Sequence, residues 1–436
     1  MSGQISIESI NKDGKSVAIN YVVTGEATRY FRANRMLVHY PFDSIDIPES
    51  VLVVPFVANV LPIVWMANAK LIVPMLDEAF SNCIPNVKIG YETMYPNVHF
   101  RGEVVVGSIQ KNIGVAATKS AMFYSGGVDS VDTFVRHIDE LPDLLTVWGS
   151  DIKYDNKDGW DIVHSVVEHT ARRFKCAEYV IRSEFRECVN EAVLTSDFGA
   201  ILHDGWWHGV QHGLGLLGHV APLAYVNGYK KMYIASTFTT TAITCASSPL
   251  TDNQVRFVDC QVYHDGFECT RQNKIENVVK YSKENKISFP LHVCWRSQTG
   301  ENCCVCEKCL RTLTALLSIG ADPDAYGFVG YRKSFDVAKN KRTIRKSLFD
   351  DRQVGNNAEF WAQISDALKK VTVNDSAFPE ETIRFVKWVR DFDFRNKKNW
   401  DLPIDIIVRQ KMCRIRRAAF KLIDIVLLRR KKHVGV

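Results

Sequence analysis

The chain has 436 residues, 46% of them hydrophobic and 24% charged, which is typical of a soluble globular protein with room for about two or three domains. Its formal net charge of +6 is too small to indicate nucleic-acid binding by itself. The N-terminal sequence MSGQISIESINKDGK lacks the apolar core of a signal peptide, so we expect a cytoplasmic protein. There the 12 cysteines should be reduced, which favours a metal or catalytic role over disulfides for a tight cysteine cluster.

The first segment, residues 1–115, is predicted to be a mixed α/β N-terminal domain of unknown role. The sequences KSVAINYVVTG and RMLVHYPFDSIDI have strand character, and the apolar residues 51–76 predict helices that cover these strands. Residues 51–67 are apolar enough to raise a membrane span, but Pro55 and Pro62 interrupt them and no basic cluster flanks them. We therefore expect a buried core segment and no transmembrane span.

The second segment, residues 116–325, alternates short apolar strands with longer helical patterns. KSAMFYS, LLTVWGS, AEYVIRS and KKMYIAST are predicted strands, and DSVDTFVRHIDEL is the first predicted helix. This alternation is typical of a parallel sheet with helices on both faces, so the predicted fold class is α/β. In such sheets ligands bind beyond the carboxyl ends of the strands, where the sequence SGGVDS stands.

The third segment, residues 326–436, is charged, is predicted to be helical, and ends in a basic tail. Residues 409–432 carry ten lysines and arginines around the apolar run LIDIVLL. One interpretation is a solvated helix packed on its own domain. The other is a docking helix for a protein partner or an anionic surface, with too few apolar residues to cross a bilayer.

The sequence SGGVDS combines two glycines, two serines and an aspartate directly after a predicted strand. Gly126 and Gly127 allow a sharp turn that approaches a ligand without a Cβ in the way. The N–H groups of such a turn at a helix N-terminus favour phosphate, and Ser125 and Ser130 add hydroxyl donors. Asp129 would repel phosphate, so we expect it to orient the loop or to hold Mg²⁺. An ordinary capped turn is the alternative, but a cap needs only one such residue.

A cluster of cysteines stands in the sequence CWRSQTGENCCVCEKCLRT. Cys303, Cys306 and Cys309 form C-x-x-C-x-x-C, and Cys294 lies nine positions before the first of them. Four thiolates at this spacing can bind Zn²⁺ in a tetrahedron, whereas Cys304 is expected to point away from the metal. A [4Fe–4S] cluster is the competing interpretation, because thiolates bind both.

Histidines decorate the glycine-rich segment that precedes the strand KKMYIAST. His208 and His212 would share a helical face at i, i+4, a spacing that can bind a metal. No nearby carboxylate or third ligand completes a metal site in the sequence, so we favour packing or substrate contact. Trp206 and Trp207 have two interpretations, stacking on a planar base or burial in the core.

The glycine turn and the cysteine cluster together point to a family. SGGVDS resembles the S-G-G-x-D-S loop of the PP-loop ATP pyrophosphatases, which bind the pyrophosphate end of ATP and adenylate a substrate. With the following C-x8-C-x2-C-x2-C and Leu310-Arg311, residues 117–320 resemble the 7-cyano-7-deazaguanine synthases of the queuosine pathway. The resemblance implies a Rossmann-like PP-loop (HUP) domain over 116–325, with Zn²⁺ on the four cysteines and with ATP and Mg²⁺ as further cofactors.

The resemblance also implies site residues. HDGFECTRQNKIENV occupies the place of the family's T-K-A-E-I region, so Arg271 and Lys274 join Asp129 and Ser130 as catalytic candidates, and Asp252 in SSPLTD is a weaker one. For Arg271, Lys274 and Asp252 the alternative is a solvated helix start. VWGSDIKYD and GWWHGVQHGLG replace the family's substrate-binding sequences, which leaves the substrate open. In size the chain is similar to enlarged relatives from bacterial anti-phage defence operons, which implies protein partners from such an operon.

The implied reaction is adenylation followed by transfer. A small carboxylate substrate, with a deazaguanine-type acid as one candidate, attacks the α-phosphorus of ATP, pyrophosphate leaves, and ammonia or an amine then displaces AMP. One alternative is a PP-loop enzyme that modifies a tRNA base with a cysteine as carrier. The cysteines outside the zinc set that leave this open are Cys176, Cys188, Cys245, Cys260 and Cys269. A second alternative is a non-catalytic nucleotide-binding subunit of a defence complex.

Overall fold

The computed structural model describes residues 3–294, 296, 301–351, 356–370 and 378–400. The predicted basic tail, with its two interpretations, lies outside the described residues. No helix within the described ranges is both long enough and apolar enough to cross a membrane.

The chain divides into two compact units. One comprises the residues up to 303 together with 321–329, and the other comprises 304–320 together with the residues from 330 onward. The predicted boundary after residue 115 does not separate two compact units, because strands on both sides of it belong to one sheet.

The first unit is built on an eleven-stranded, mostly parallel sheet. Its strands are β1 (Gly3–Asp13), β2 (Ser16–Gly25), β3 (Arg35–His39), β4 (Lys70–Asp77), β5 (Glu103–Gln110), β6 (Lys119–Phe123), β7 (Asp143–Trp148), β8 (Glu178–Ser183), β9 (Tyr229–Ala235), β10 (Arg256–Phe257) and β11 (Cys260–Asp265). Their order across the sheet is β10-β11-β9-β6-β7-β8-β3-β2-β1-β4-β5. The predicted α/β class with a parallel sheet is confirmed.

Helices and tight turns connect these strands. The α-helices of this unit are α1 (Glu49–Leu52), α2 (Val54–Met66), α3 (Glu78–Met94), α4 (Val128–Arg136), α5 (Lys157–Phe174), α6 (Glu191–Leu202), α7 (His212–Gly218), α8 (Ala221–Asn227), α9 (Pro249–Asp252) and α10 (Arg271–Asn285). A π-helical turn, Trp207–Gln211, leads directly into α7. The glycine-rich segment HGVQHGLGLLGHVAPLAYVNG, whose pattern predicts one helix, is therefore divided into a π-turn and two short α-helices.

The strand order creates a reversal point beside β6. Strands β11, β9, β6, β7 and β8 run parallel. The chain leaves β6 towards β7 on one side, whereas it leaves β9 towards β11 on the other. In open α/β sheets such a reversal opens a crevice at the carboxyl ends of the two strands. The segments that follow β6 and β9 therefore flank a natural ligand site.

The apolar segment after residue 51 forms core, as predicted, but only its first part is helical. Helix α2 is buried from Val54 to Trp65. Asn59 within it donates to the carbonyl oxygen of Phe185 at 2.9 Å, so its amide is satisfied away from water. After Asn68, which adopts a left-handed φ of 51°, the chain continues as β4 rather than as a second helix. The predicted helices over 51–76 are wrong in this second part.

The second unit is helical over its described residues, as the charged pattern after residue 326 predicts. Its α-helices are α11 (Glu307–Leu317), α12 (Tyr331–Ser334), α13 (Val337–Asp350), α14 (Asn356–Lys369) and α15 (Glu380–Asp391). Trp361 is fully buried there, its ring stacks on Phe394 with a centroid distance of 5.8 Å, and its Nε1 donates to Glu307.

Candidate functional site

The glycine turn lies at the reversal point of the sheet, between the end of β6 and the start of α4. Gly126 has a φ of +73°, and a Cβ on it would lie 2.4 Å from Cγ1 of Val166. Its carbonyl oxygen accepts from the N–H of His292 at 2.8 Å. Gly127 has a φ of −74° and caps α4, and a Cβ on it would meet nothing closer than 3.5 Å. Only Gly126 is therefore required by the fold of the turn itself.

The two serines brace this turn. The Ser130 hydroxyl donates to the carbonyl oxygen of Gly127 at 3.1 Å and accepts from the N–H of Ser125 at 3.3 Å. The two hydroxyl oxygens lie 3.4 Å apart. Helix α4 begins at Val128, so the N–H groups of its first turn point at the end of β6 without intrahelical acceptors. The turn presents a concentration of hydrogen-bond donors.

Asp129 brings Arg271 and Lys274 to the same place. Its Oδ2 lies 2.5 Å from Nη2 of Arg271, and its Oδ1 lies 3.3 Å from Nζ of Lys274. The Thr237 hydroxyl donates to the same carboxylate at 3.1 Å. The two cations stand 142 and 145 residues further along the chain, on the first turn of α10. The structure thus unites three of the four predicted catalytic candidates, and the fourth, Ser130, lies in the adjoining turn.

The charges around Asp129 define its ionisation. Burial acts to raise the pKa of this carboxyl, but Arg271 and Lys274 outweigh it and hold the pKa below its ordinary value. Both carboxylate oxygens are already engaged by these cations. The arrangement therefore fits the orienting role predicted for Asp129, and it does not fit the role of an Mg²⁺ ligand. The Asp129 side chain is also largely buried.

A cavity of about 260 Å³ opens beside the turn, at the carboxyl ends of β6, β7 and β9. Ser125, Asp129 and Ser130 of the glycine turn are part of its lining. The rest of the lining combines apolar side chains with a few polar groups, which is typical of small-molecule sites. The apolar residues include Leu145, Val147, Leu216, Ile234 and Phe238, and the polar ones include Ser150, Asp151, His212, Cys245 and Ser247.

Cys245 in the cavity lining belongs to a group that was not predicted, together with His208 and Asp204. His208 bonds the Asp204 carboxylate through Nδ1 and approaches the thiol of Cys245 through Nε2. Asp204 stands four residues before His208, so a carboxylate was within helical reach in the sequence. The expectation that no carboxylate lies nearby is wrong. Cys245 comes from a loop 37 residues further on, and no local pattern joins it to the other two.

The other singled-out side chains have structural partners. Asp252 bonds His264 Nδ1 at 2.9 Å and accepts from the Ser247 hydroxyl at 2.6 Å, both inside the protein. Trp206 is fully buried, in agreement with the core interpretation. Trp207 donates through Nε1 to Asp151 at 3.0 Å, which fixes an acidic group at the cavity wall.

The four predicted metal ligands come together. The sulfur atoms of Cys294, Cys303, Cys306 and Cys309 all lie within 4.8 Å of one another. Thiolates about 2.3 Å from a single zinc ion would lie about 3.8 Å apart, so this group could hold one metal ion. Cys304 does not belong to the group, as predicted, and adopts a left-handed φ of 56° in the turn.

The segment that carries the cysteines is anchored by one amide. Asn302 Oδ1 accepts from the N–H groups of Val293 and Cys294 at 3.1 and 3.2 Å. Its Nδ2 donates to the carbonyl oxygens of Leu291 and Gly327 at 2.7 and 2.9 Å. Cys306 caps α11, where the helix N-terminus favours a thiolate.

Comparison of the chain with protein-family models, with curated proteins and with solved structures found no match in any of the three. The chemistry of the site therefore follows from its own residues and their geometry.

Proposed function

We propose that this chain is a PP-loop ATP-dependent ligase, which adenylates a small carboxylate with release of pyrophosphate and passes the acyl group to a nitrogen nucleophile. The observation that carries the proposal is that Ser125, Asp129 and Ser130 of the glycine turn line the cavity. Arg271 and Lys274 converge on the same turn, because both contact the Asp129 carboxylate. Such a turn at a helix N-terminus, backed by cations at a sheet reversal point, suits a pyrophosphate group.

Charge supports the assignment of the leaving group. Arg271 and Lys274 together outweigh Asp129 by one positive charge, and the N-terminus of α4 adds a partial positive charge. Negative charge grows on pyrophosphate as the bond to the α-phosphorus breaks. Fixed positive groups in a site of low dielectric stabilise that charge without reorganisation. Asp129 holds the two cations in position.

The rest of the cavity is the proposed carboxylate subsite. The apolar lining residues Leu145, Val147 and Phe238 suit a flat or apolar part of a substrate. Asp151 offers an acceptor for substrate N–H groups. Because Trp207 bonds one oxygen of Asp151, this acceptor is oriented. A planar heterocyclic acid with ring N–H groups, such as a deazaguanine-type acid, matches this chemistry.

The cysteine group is the proposed site of one structural Zn²⁺. Four thiolates close the tetrahedron of zinc and leave no position for a substrate. A [4Fe–4S] cluster would place each thiolate on a different iron, which holds the sulfurs further apart than a single ion does. The spacing within 4.8 Å therefore favours the single ion.

Labelled ATP tests the reaction. With ATP, a deazaguanine-type acid and ammonia, we expect AMP and pyrophosphate in equal amounts, since the glycine turn holds the β- and γ-phosphates as one leaving group. Thin-layer separation of α- and γ-labelled products measures this directly. Formation of ADP and inorganic phosphate would show a different cleavage and refute the proposal.

Replacing each glycine of the turn by alanine shows which glycine the fold requires and which one ligand binding requires. Gly127→Ala should leave thermal unfolding almost unchanged, because its Cβ meets only ordinary contacts, but should weaken pyrophosphate binding by about tenfold or more. Gly126→Ala should lower the free energy of unfolding by about 1–2 kcal/mol, because of its positive φ and the Val166 contact. Calorimetric titration with pyrophosphate and thermal melts measure both. Equal pyrophosphate affinity in wild type and Gly127→Ala would place the ligand elsewhere.

A second candidate function is sulfur transfer to an adenylated tRNA base. The observation that favours it is Cys245 in the cavity wall, a cysteine outside the zinc group. Both candidates release AMP and pyrophosphate, so the acceptor distinguishes them. Incubation with bulk tRNA, ATP and sulfide should give a thiolated nucleoside by mass spectrometry only if this candidate is correct.

A further inference from the structure

Asp204, His208 and Cys245 form a hydrogen-bonded chain that begins at the cavity, where Cys245 is part of the lining. The Cys245 sulfur lies 3.7 Å from Nε2 of His208, and Nδ1 of the same ring bonds the Asp204 carboxylate. A carboxylate at Nδ1 selects the tautomer with its hydrogen there, which leaves Nε2 to accept the thiol proton. A thiol, a base and a group that orients the base are the parts of an activated cysteine nucleophile.

Each member of this chain is itself held in place. The second oxygen of Asp204 accepts from the N–H of Gly205 at 2.7 Å. The carbonyl oxygen of His208 accepts from the N–H of Ala246 at 2.8 Å, which ties the histidine to the residue after Cys245. The loop that carries Cys245 and Ala246 is also in close contact with α7, since a Cβ on Gly213 would lie 2.3 Å from the Ala246 carbonyl oxygen. The backbone segments that carry the thiol and the imidazole are thus bonded to each other and closely packed.

The π-helical turn Trp207–Gln211 sets the position of His208. Such turns break the regular bonding of a helix and are common at functional sites. Two buried tyrosines, Tyr91 and Tyr95, donate to carbonyl oxygens of this turn at 2.7 and 2.8 Å. These bonds satisfy carbonyl groups inside the protein, so the irregular turn is stabilised by its surroundings.

Hydrogen bonding favours the charged form of His208. The hydrogen bond to Asp204, followed by the one to Cys245, raises the pKa of His208 to about 10. An imidazolium that is stable at neutral pH stabilises a thiolate beside it. By contrast, burial raises the pKa of the Cys188 thiol to about 12, and this cysteine has no place at the cavity.

We propose that Cys245 is a catalytic residue that takes the acyl group from the adenylate as a thioester, with His208 as its base and Asp204 as a positioning residue. This inference rests on the proposed adenylation, because the acyl donor is the product of that step. Its support is that Cys245 shares one cavity with Ser125 and Asp129, so an adenylate held by the glycine turn has the thiol within the same enclosure.

The chemistry balances without an oxidant or reductant. His208 takes the thiol proton, and the thiolate attacks the carbonyl carbon of the acyl-adenylate. The bond to the phosphate oxygen breaks, and AMP leaves with the electron pair. The nitrogen nucleophile then attacks the thioester, the carbon–sulfur bond breaks, Cys245 leaves as the thiolate, and the amine proton passes to solvent. A covalent thioester protects the acyl group from water until the nucleophile arrives.

Acetyl adenylate tests this step without ATP cleavage. Incubated with the full chain, it should acetylate Cys245, and neutral hydroxylamine should remove the acetyl group as it does from thioesters. Cys245→Ala should carry no hydroxylamine-labile acetyl, whereas Cys176→Ala, a change at a partly buried cysteine outside the cavity, should match wild type. Acetylation of lysines alone, or an undiminished labile acetyl on Cys245→Ala, would overturn the proposal.

Alkylation measures the activation of the thiol itself. With limiting iodoacetamide and peptide mass spectrometry, Cys245 should react at least about tenfold faster than Cys176, and His208→Gln should remove most of this advantage. A Cys245 no faster than Cys176 would contradict the role of His208. Failure of adenylation gives a different pattern: no AMP from ATP, but normal transfer from acetyl adenylate. AMP formation with an unlabelled Cys245 would reject the thioester and leave the ligase proposal intact.

Discussion

Cys309→Ala should give little folded protein and no stoichiometric zinc. Cys309 is completely buried at the start of α11, and its sulfur is one of four within 4.8 Å. Structural zinc in small sites contributes about 10–16 kcal/mol at neutral pH, which is comparable with the whole stability of a domain, about 5–15 kcal/mol. Loss of one ligand therefore removes much of the free energy that holds the other three cysteines together.

The matched control is the neighbouring cysteine. Cys304→Ala changes a buried thiol in the same turn that does not belong to the four, so folded yield and one zinc per chain should persist. Metal content by plasma mass spectrometry and folded yield by gel filtration measure both variants beside wild type. Iron with a visible charge-transfer band, or a folded Cys309→Ala at wild-type yield, would overturn the zinc assignment. A chelator should lower the melting temperatures of wild type and Cys304→Ala alike, because both keep the four zinc ligands.

Local patterns predicted the part of the fold that they determine. The alternation of short apolar strands and amphipathic helices after residue 116 gave the parallel sheet, because periods of 2 and 3.6 are properties of neighbouring residues. The glycine turn was recognisable for the same reason, since its chemistry lies within six consecutive positions. The cysteine cluster was recognisable because ligands of one metal ion that stand close together in the sequence form a local pattern.

Long-range pairing explains what the sequence did not show. The N-terminal strands join the parallel sheet through β3 and β8, whose residues are separated by more than a hundred positions, so a boundary after residue 115 looked natural. β4 was hidden inside an apolar run that fits a buried helix and a buried strand equally well. Cys245 contacts His208 only because the loop after β9 folds back onto the π-helical turn. Local sequence periodicity does not predict such a long-range contact.

Asp129→Asn should lower ATP cleavage by at least about 10²–10³-fold, the usual cost of losing one electrostatic contact in a preorganised site. The amide keeps the size of the side chain but no longer holds the cations with a full charge. The Lys274 ammonium, only 1% exposed, would then face a neutral group, so we also expect a loss of up to about 3 kcal/mol in the free energy of unfolding.

A double variant separates the two effects. Lys274→Met added to Asp129→Asn removes the buried ammonium, so stability should recover in part while ATP cleavage stays low. Asp143 provides a control carboxylate. It lies at the amino end of β7, away from the glycine turn, and accepts from the Tyr229 hydroxyl at 3.0 Å. Asp143→Asn should leave the rate of AMP formation unchanged, because it is remote from the carboxyl ends of the strands. Urea unfolding and AMP formation are measured for all three variants. Wild-type turnover in Asp129→Asn would show that the cluster of Asp129, Arg271 and Lys274 stabilises the fold only, and that phosphate binding lies elsewhere.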